Sequence, residues 1–379
     1  MKVLFLTSDW KWTGPAEPMA HAIAGLRARG HEVDAAFPAT PPGYGDALAE
    51  RAAARGIVPV YEPARGQGYW PLRDGGEVRR LRAFLRERDY DVVHVFHARA
   101  HLLVRFALGA GRARGTTRLV ASWTHGEPVP SRPWNRWLYG ARGCDGLAVL
   151  TERLAEQTRA WLGPTQPCVG VVPGVVDTER FAPRARRPEL AESLGLKPES
   201  KVIGLVARLQ PHRRVELILE ALRRALAEAP SLRLLVIGRG TRAAHVLDAP
   251  ARALGLEPAL VRAGYLRGEA YLDTLALMDA LVYLVPGSDG SCRAALEAMA
   301  MGTPVIASRR GALPELVGDA GFVCDEEAGA LAAAFIRLAS DGAAWRRRGE
   351  LARARARAEF SLGRCAEASE RLYRAVVDR

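Results

Sequence analysis

Asp289-Gly290-Ser291-Cys292-Arg293-Ala294-Ala295-Leu296-Glu297, running straight into Ala298-Met299-Ala300-Met301-Gly302-Thr303-Pro304-Val305-Ile306-Ala307, is the stretch that decides the fold. The apolar run Ala280 to Val285 ahead of it reads as a strand, the Gly-containing segment as a turn, and the residues from Ser291 as a helix stopped by Gly302. A second strand starts at Pro304. Strand, turn, helix and strand make the crossover unit of a parallel sheet. The helix start offers unpaired backbone N–H groups and a partial positive charge, so it stabilises an anion such as a phosphate. Gly290, Ser291 and Cys292 line that start, and the carboxylates of Asp289 and Glu297 flank it and suit sugar or ribose hydroxyls. Phosphate cradle and hydroxyl acceptors together fit a nucleotide sugar, against the plainer reading of an ordinary strand-turn-helix with solvated acids.

Outward from this stretch, apolar β-rich runs alternate with helical patterns along the whole chain, which predicts an α/β protein with parallel sheets flanked by helices. The first half offers Val3–Thr7, Glu32–Phe37, Ile57–Tyr61, Asp91–Phe96, Leu119–Trp123, Gly146–Leu150 and Val169–Val172. The second offers Val202–Ala207, Leu232–Ile237, Leu260–Ala263, Ala280–Val285, Val305–Ser308 and Gly321–Cys324. The pattern is laid down twice, and 379 residues exceed what one core usually fills, so two domains are expected. The expected division is a first Rossmann-like domain over 1–172, a linker over 173–200, a second Rossmann-like domain over 201–345 and a helical tail over 346–379 that packs back on the first. Ligands of open α/β sheets gather at the C-terminal strand edges, here in a cleft between the two.

Composition is that of an ordinary globular protein, 49% hydrophobic and 25% charged. Acids interrupt the most apolar region, leaving no run long enough to span a membrane. The start, Met1 to Asp9, reads as a buried first strand, and the cytosol is the expected location. Cysteines 144, 168, 292, 324 and 365 form no Cys-x-x-Cys pair, so neither a disulfide framework nor a zinc ribbon is suggested. The net charge of +12 raises a polyanion-binding or anionic-membrane reading. Only Lys2, Lys11, Lys197 and Lys201 are lysines, however, and the Arg346–Arg357 cluster reads first as a solvated helix face and second as a membrane-surface patch.

The second half opens on Gly204-Leu-Val-Ala-Arg208-Leu-Gln-Pro-His-Arg213-Arg214. A strand delivers Arg208 to its C-terminal end and a tight turn returns Arg213 to the same place, where two cations neutralise a diphosphate leaving group. An exposed basic turn is the alternative, with His212 facing solvent. His125 ends the run Arg118 to Thr124 at a strand end, where an imidazole can bind a sugar hydroxyl or assist proton movement.

The Asp289–Val305 stretch resembles the donor-site signature of the retaining glycosyltransferases of family 4: an acid, seven residues, Glu, then Ala-Met-Ala and Gly-x-Pro-Val. Asp289 is one methylene shorter than the family's first Glu. The resemblance continues through Arg208 with Arg213 or Arg214 in the family's lysine position, Pro173-Gly174-Val175-Val176-Asp177 in the interdomain motif, and Gly311-Ala-Leu-Pro314-Glu315. It implies a GT-B fold and metal-independent, retaining transfer from a nucleotide-diphosphate sugar to a hydroxyl on a glycan, a lipid-linked acceptor or a small molecule, with no cofactor beyond that substrate. It also implies that Asp289 touches the donor sugar, Glu297 holds the ribose, Gly264 and Tyr265 meet the base, Gly14 approaches the diphosphate, and His125 lies beside the reacting sugar. His97 or Arg99 could touch the acceptor, and the loops of Pro38–Arg73 select it.

Other readings compete. Asp89-Tyr90-Asp91 matches a metal-binding Asp-x-Asp pattern but enters a strand at the wrong edge. His94, His97 and His101 invite zinc, yet no acid or Cys completes a set nearby, and His94 reads as core. Gly238-Arg-Gly240-Thr-Arg-Ala243 satisfies a relaxed dinucleotide fingerprint without the acid that confirms one. The helix expected from Pro133 carries Trp134, Trp137 and Tyr139; its aromatic residues read as core ahead of a membrane contact. A nucleotide-sugar epimerase of the same architecture and a catalytically dead polyanion binder stand as alternatives; no nucleic-acid partner is expected.

Overall fold

The computed structural model describes residues 1–12, 14–45, 47–66, 71–109, 116–287 and 290–378. They divide into two compact units, the first formed by Met1–Val175, Ser288–Ser291 and Leu362–Arg379, the second by Val176–Gly287 and Cys292–Ser361. Asp289 and Thr13 lie outside the described residues, as do Asp46 and residues 67–70 of the expected acceptor loop.

The first unit is built on seven parallel strands, β1 (Lys2–Leu6), β2 (Glu32–Ala36), β3 (Pro59–Tyr61), β4 (Val92–Val95), β5 (Arg118–Ser122), β6 (Gly146–Val149) and β7 (Cys168–Val171), in the order β3-β2-β1-β4-β5-β6-β7. Helices cover both faces, which is why Val3, Leu4, Phe5 and Leu6 are all fully buried and the strands read as unbroken apolar runs. Leu4, Leu6, Val93, Leu119 and Leu147 face one core, and Val3, Phe5, Val92, Val120 and Ala148 the other. The strand order reverses between β1 and β4, so the C-terminal edge opens there.

The helix Leu362–Val377 completes this unit. Ala366, Leu372, Tyr373 and Val376 join the core of β1 and the helix Ala16–Ala28. Its Glu370 accepts hydrogen bonds from Arg29 at 2.7 Å and Arg374 at 2.5 Å. The Arg29 guanidinium, and after it Arg374, hold the carboxyl at about 2 against the pull of burial. Because its pKa unfolded is about 4.3, the unfolded chain binds more protons between those values and stability rises with pH across them. The contribution is therefore present above about pH 4.3 and lost as pH falls toward 2. Glu370→Gln is expected to destabilise at neutral pH, and the gap to the parent in denaturant midpoint narrows on acidification; a gap independent of pH would refute this pairing.

The second unit has six parallel strands, β8 (Lys201–Val206), β9 (Leu232–Ile237), β10 (Leu260–Gly264), β11 (Ala280–Tyr283), β12 (Val305–Ser308) and β13 (Phe322–Cys324), ordered β10-β9-β8-β11-β12-β13. Its order reverses between β8 and β11. The expected tail divides differently from the sequence reading. The helix Gly342–Glu359 belongs to the second unit, with Ala352 and Ala356 buried in its core, and only the helix from Leu362 belongs with the first. The arginines of that helix explain why. Arg348 donates to the carbonyls of Asp319 and Gly321, Arg353 to those of Thr178, Phe181 and Ala300, and Arg355 to those of Glu315 and Leu316. A guanidinium has five N–H donors in a fixed fork and so closes several loop and helix-end carbonyls at once. Half of the basic cluster is thus structural, while Arg346, Arg347 and Arg357 are exposed as a solvated face requires.

Candidate functional site

In the second unit the C-terminal edge at the β8/β11 reversal collects the expected groups. Arg208 follows β8 and is exposed; it pairs with no carboxylate among the described residues. Arg213 ends the short turn Pro211–Arg213 and donates from one terminal nitrogen to the carbonyl oxygens of Val285 at 2.9 Å and Pro286 at 3.2 Å, just past β11. It therefore bridges the reversal, and its Nε is buried with no hydrogen-bond partner among the described residues. Arg214, the other residue matching the family lysine, takes φ +58° and turns away into ion pairs with Glu216 and Glu326. His212 is exposed, and its pKa is lowered by partial desolvation and then by the charges of Arg213 and Arg208. Arg208 and Arg213 therefore both stand close enough to His212 to act on its charge.

The helix beyond β11 spans Arg293–Ala300, two residues later than the sequence suggests, with Cys292 at its N-cap in the left-handed region at φ +53°. Ser291 and Cys292 are buried, and Cys292 contributes its side chain to the core. Glu297, one turn into the helix, is buried and accepts a hydrogen bond from the Tyr271 hydroxyl at 2.5 Å. Tyr271 is a positioning residue with no motif in sequence to announce it; it sits on the separate helix Gly268–Leu275. At the end of β10, Gly264 takes φ +72°, and Tyr265, just past it, is 48% exposed. Its ring lies 4.2 Å from the Arg239 guanidinium and 4.9 Å from that of Arg267, whose Nε also donates to the hydroxyl. An exposed ring beside cations is a stacking platform for a nucleobase.

The dinucleotide look-alike has a structural cause. A Cβ at Gly238 would fall 1.9 Å from the Ala207 carbonyl oxygen and one at Gly240 2.1 Å from that of Leu209, so both glycines serve the close crossing of the β8 and β9 ends.

In the first unit, the β1/β4 reversal brings the Thr7 hydroxyl 2.8 Å from Nδ1 of His97. Burial lowers the His97 pKa, the nearby Asp9 charge opposes that, and His125 adds to it, so these groups share one neighbourhood. His125 stands exposed past β5, its ring 4.5 Å from that of Trp123. Gly14, φ +59°, lies just before the helix Ala16–Ala28. Gly290 and Ser291 pack here as well. Gly290 has φ +61°, and an added Cβ would lie 2.2 Å from the Gly126 nitrogen and 2.5 Å from the Thr124 carbonyl oxygen. A mainly apolar recess of about 470 Å³, open at its mouth, is lined by Pro18, Phe96, Val172 and Ser291, among others, with His94 in its wall.

Arg99 does not join this edge. Its side chain is 1% exposed and donates to Asp74 at 2.9 Å and to the Ala64 carbonyl at 2.6 Å, so it anchors the backbone at Ala64 and does not meet an acceptor. His94 is core, as the sequence suggests: it bonds Tyr373 at 2.6 Å and Ser122 at 2.7 Å, and burial pushes its pKa down to about 3. His101 bonds the Gly143 carbonyl. Among the described residues no group of three metal-binding side chains assembles. Asp91 accepts from the Lys2 backbone N–H at 2.7 Å, closing the N-terminal sheet edge opposite the site.

Comparison with known proteins follows the same division. The model of the family described as Glycosyl transferases group 1 matches residues 200–341, and that of Glycosyltransferase Family 4 matches residues 19–180. The D-inositol 3-phosphate glycosyltransferase of Actinosynnema mirum is 34% identical over 184 residues, which are 46% of this chain and 43% of that protein. The Mycobacterium tuberculosis protein of the same description is 33% identical over 181 residues, 46% of this chain and 36% of its own. The chain thus matches about two fifths of the length of these curated relatives. Among solved structures, a glycosyltransferase from Rickettsia africae superposes with a TM-score of 0.83 at 15% identity, covering 100% of this chain and 99% of its own. Anabaena HepE in complex with UDP gives 0.79 at 19% identity, covering 98% and 99%. Both share the fold.

Proposed function

This chain belongs to the group 1, family 4 glycosyltransferases of GT-B fold, and from that premise we propose that it moves a sugar from a nucleotide-diphosphate donor to a hydroxyl acceptor, with retention at the anomeric carbon and without a metal ion. The observation that carries the proposal is the β8/β11 edge, where Arg208 is exposed, pairs with no carboxylate among the described residues and, with Arg213, acts on the charge of His212. Half-buried Arg213 and exposed Arg208 have no carboxylate partner among the described residues, so an anionic ligand is the group that balances them. The UDP complex of HepE, of the same fold, is in keeping with a uridine donor.

In this reading Arg208 and Arg213 hold the two phosphates, Glu297 accepts from the ribose hydroxyls with its geometry fixed by Tyr271, and Tyr265 stacks on the base. His125 binds a hydroxyl of the donor sugar. The acceptor oxygen attacks the anomeric carbon from the face on which the diphosphate departs. One C–O bond to sugar forms as that to phosphate breaks, and the acceptor proton passes to the leaving phosphate oxygen. Arg208 and Arg213 stabilise the charge that grows there. A metal would be redundant for that task, so transfer is expected to persist in excess chelator.

Thermal unfolding with UDP, GDP, ADP and their sugars tests the reading, because only a bound nucleotide raises the midpoint. One base is expected to give the largest shift. Glu297→Gln weakens that nucleotide about 10- to 100-fold, the worth of a charge-assisted pair. No shift with any nucleotide, or donor turnover that is independent of every hydroxyl acceptor, would overturn the proposal.

A further inference from the structure

The sequence favours a core role for the aromatic residues of the helix Pro133–Tyr139, but the structure buries Leu138 and Tyr139 and leaves Trp134 52% exposed. Trp134 stacks on Trp137 with ring centroids 5.0 Å apart, and Phe106, also exposed, lies 6.3 Å from Trp137. The Arg105 guanidinium stands 6.0 Å from the Trp137 ring. On the other side Arg136 donates to the Trp161 carbonyl and stands 6.0 Å from its ring. Phe106, Trp134 and Trp137 thus form one aromatic group flanked by arginine, with Trp161 joined to it through Arg136.

Around Phe106, Trp134 and Trp137 its charge is mainly positive. From Ala98 to Cys144 the sequence carries eight arginines and a single acid, Glu127. Arg132 and Arg142 are exposed, in contrast to the carbonyl-bound arginines of the helix Gly342–Glu359, and Arg136 is exposed although it donates to the Trp161 carbonyl. Half-exposed indoles lose apolar hydration at the headgroup level of a bilayer, where amphipathic rings concentrate, and a guanidinium matches a lipid phosphate with two hydrogen bonds. No helix among the described residues is long and apolar enough to cross a membrane, so contact is with the surface. A second copy of the chain fits less well, because a two-fold pairing would set like-charged faces against each other.

We propose that the face formed by Phe106, Trp134, Trp137 and Trp161 with Arg105, Arg132, Arg136 and Arg142 docks on an anionic phospholipid bilayer. None of these residues belongs to the candidate site, and the proposal does not depend on the catalytic reading. The test is co-sedimentation of the full chain with vesicles of phosphatidylcholine alone and of equimolar phosphatidylcholine and phosphatidylglycerol, with thermal midpoint and mass in solution as controls. Binding is expected on the anionic vesicles alone and weakens with added salt. Arg132→Gln with Arg142→Gln lowers partitioning about fivefold per arginine. Trp134→Ala lowers it and removes part of the quenching of tryptophan emission by brominated lipid. Equal binding to neutral vesicles, no binding to either, or variants that bind as the parent does would overturn the proposal. So would a lipid-free dimer dispersed by Trp134→Ala, which would assign the face to a second copy.

Discussion

Arg208→Ala lowers the rate of sugar transfer about 10²–10³-fold and shifts stability by no more than about 0.5 kcal/mol. The asymmetry follows from where the side chain spends its hydrogen bonds. Arg208 is exposed and pairs with no carboxylate among the described residues, so the folded state loses little with it. The departing diphosphate, by contrast, loses a donor at the moment its charge grows, and the loss falls on kcat. Arg208→Lys restores the charge but not the planar fork, so recovery is partial. Arg213→Ala behaves differently. Its nitrogen holds the Val285 and Pro286 carbonyls, so both the thermal midpoint and the rate fall. Arg214→Ala is the control, since that side chain is tied to Glu216 and Glu326 and the rate stays near the parental one. Initial rates with the donor chosen by the nucleotide screen decide the matter. A parental rate for Arg208→Ala would remove the basis for diphosphate binding at this edge.

Gly290→Ala carries the second large effect, a loss of about 10²-fold in kcat. Two separate costs meet at this residue. Its φ of +61° already disfavours any side chain by about 1–2 kcal/mol. The new methyl would also lie 2.2 Å from the Gly126 nitrogen, 2.5 Å from the Thr124 oxygen and 2.6 Å from the His125 carbonyl carbon. These are backbone atoms with no rotamer to escape into, so the segment carrying His125 must shift. Gly14 supplies the comparison, because at φ +59° its Cβ would meet open space. Gly14→Ala incurs only the conformational cost. Rates and thermal midpoints of the two variants, measured side by side, separate strain from displacement. Equal rates for Gly290→Ala and Gly14→Ala would show that His125 tolerates the movement or takes no part in transfer.

Much of this architecture is legible in the sequence because a parallel strand buried on both faces leaves an unbroken apolar run, and each run named in the sequence holds a strand of the structure. Edges are less legible. The run Ala280–Val285 loses its last two residues from β11, and the Val285 carbonyl is taken by a guanidinium in place of a ladder partner. The site residues that stand on strand ends or in the helix after β11, Arg208 and Glu297 among them, could be placed from local pattern alone. Those that depend on distant partners could not. Arg214 and Arg213 are neighbours in sequence, yet a left-handed backbone sends Arg214 to Glu326, 112 residues further on. Arg99 reads as a free cation until Asp74 is seen beside it. The arginines of the helix Gly342–Glu359 are the same case on a larger scale, since loop carbonyls leave no trace in composition.

The helix Leu362–Val377 follows the whole second unit in chain order, yet its Tyr373 closes on His94 inside the first. On the ribosome, a nascent chain must therefore carry an unfinished interior through synthesis of nearly two hundred further residues. Vectorial folding is reversed: the segment made first is the one sealed last. Until that helix is made, a polar imidazole and a strip of the β1 face stay unsealed.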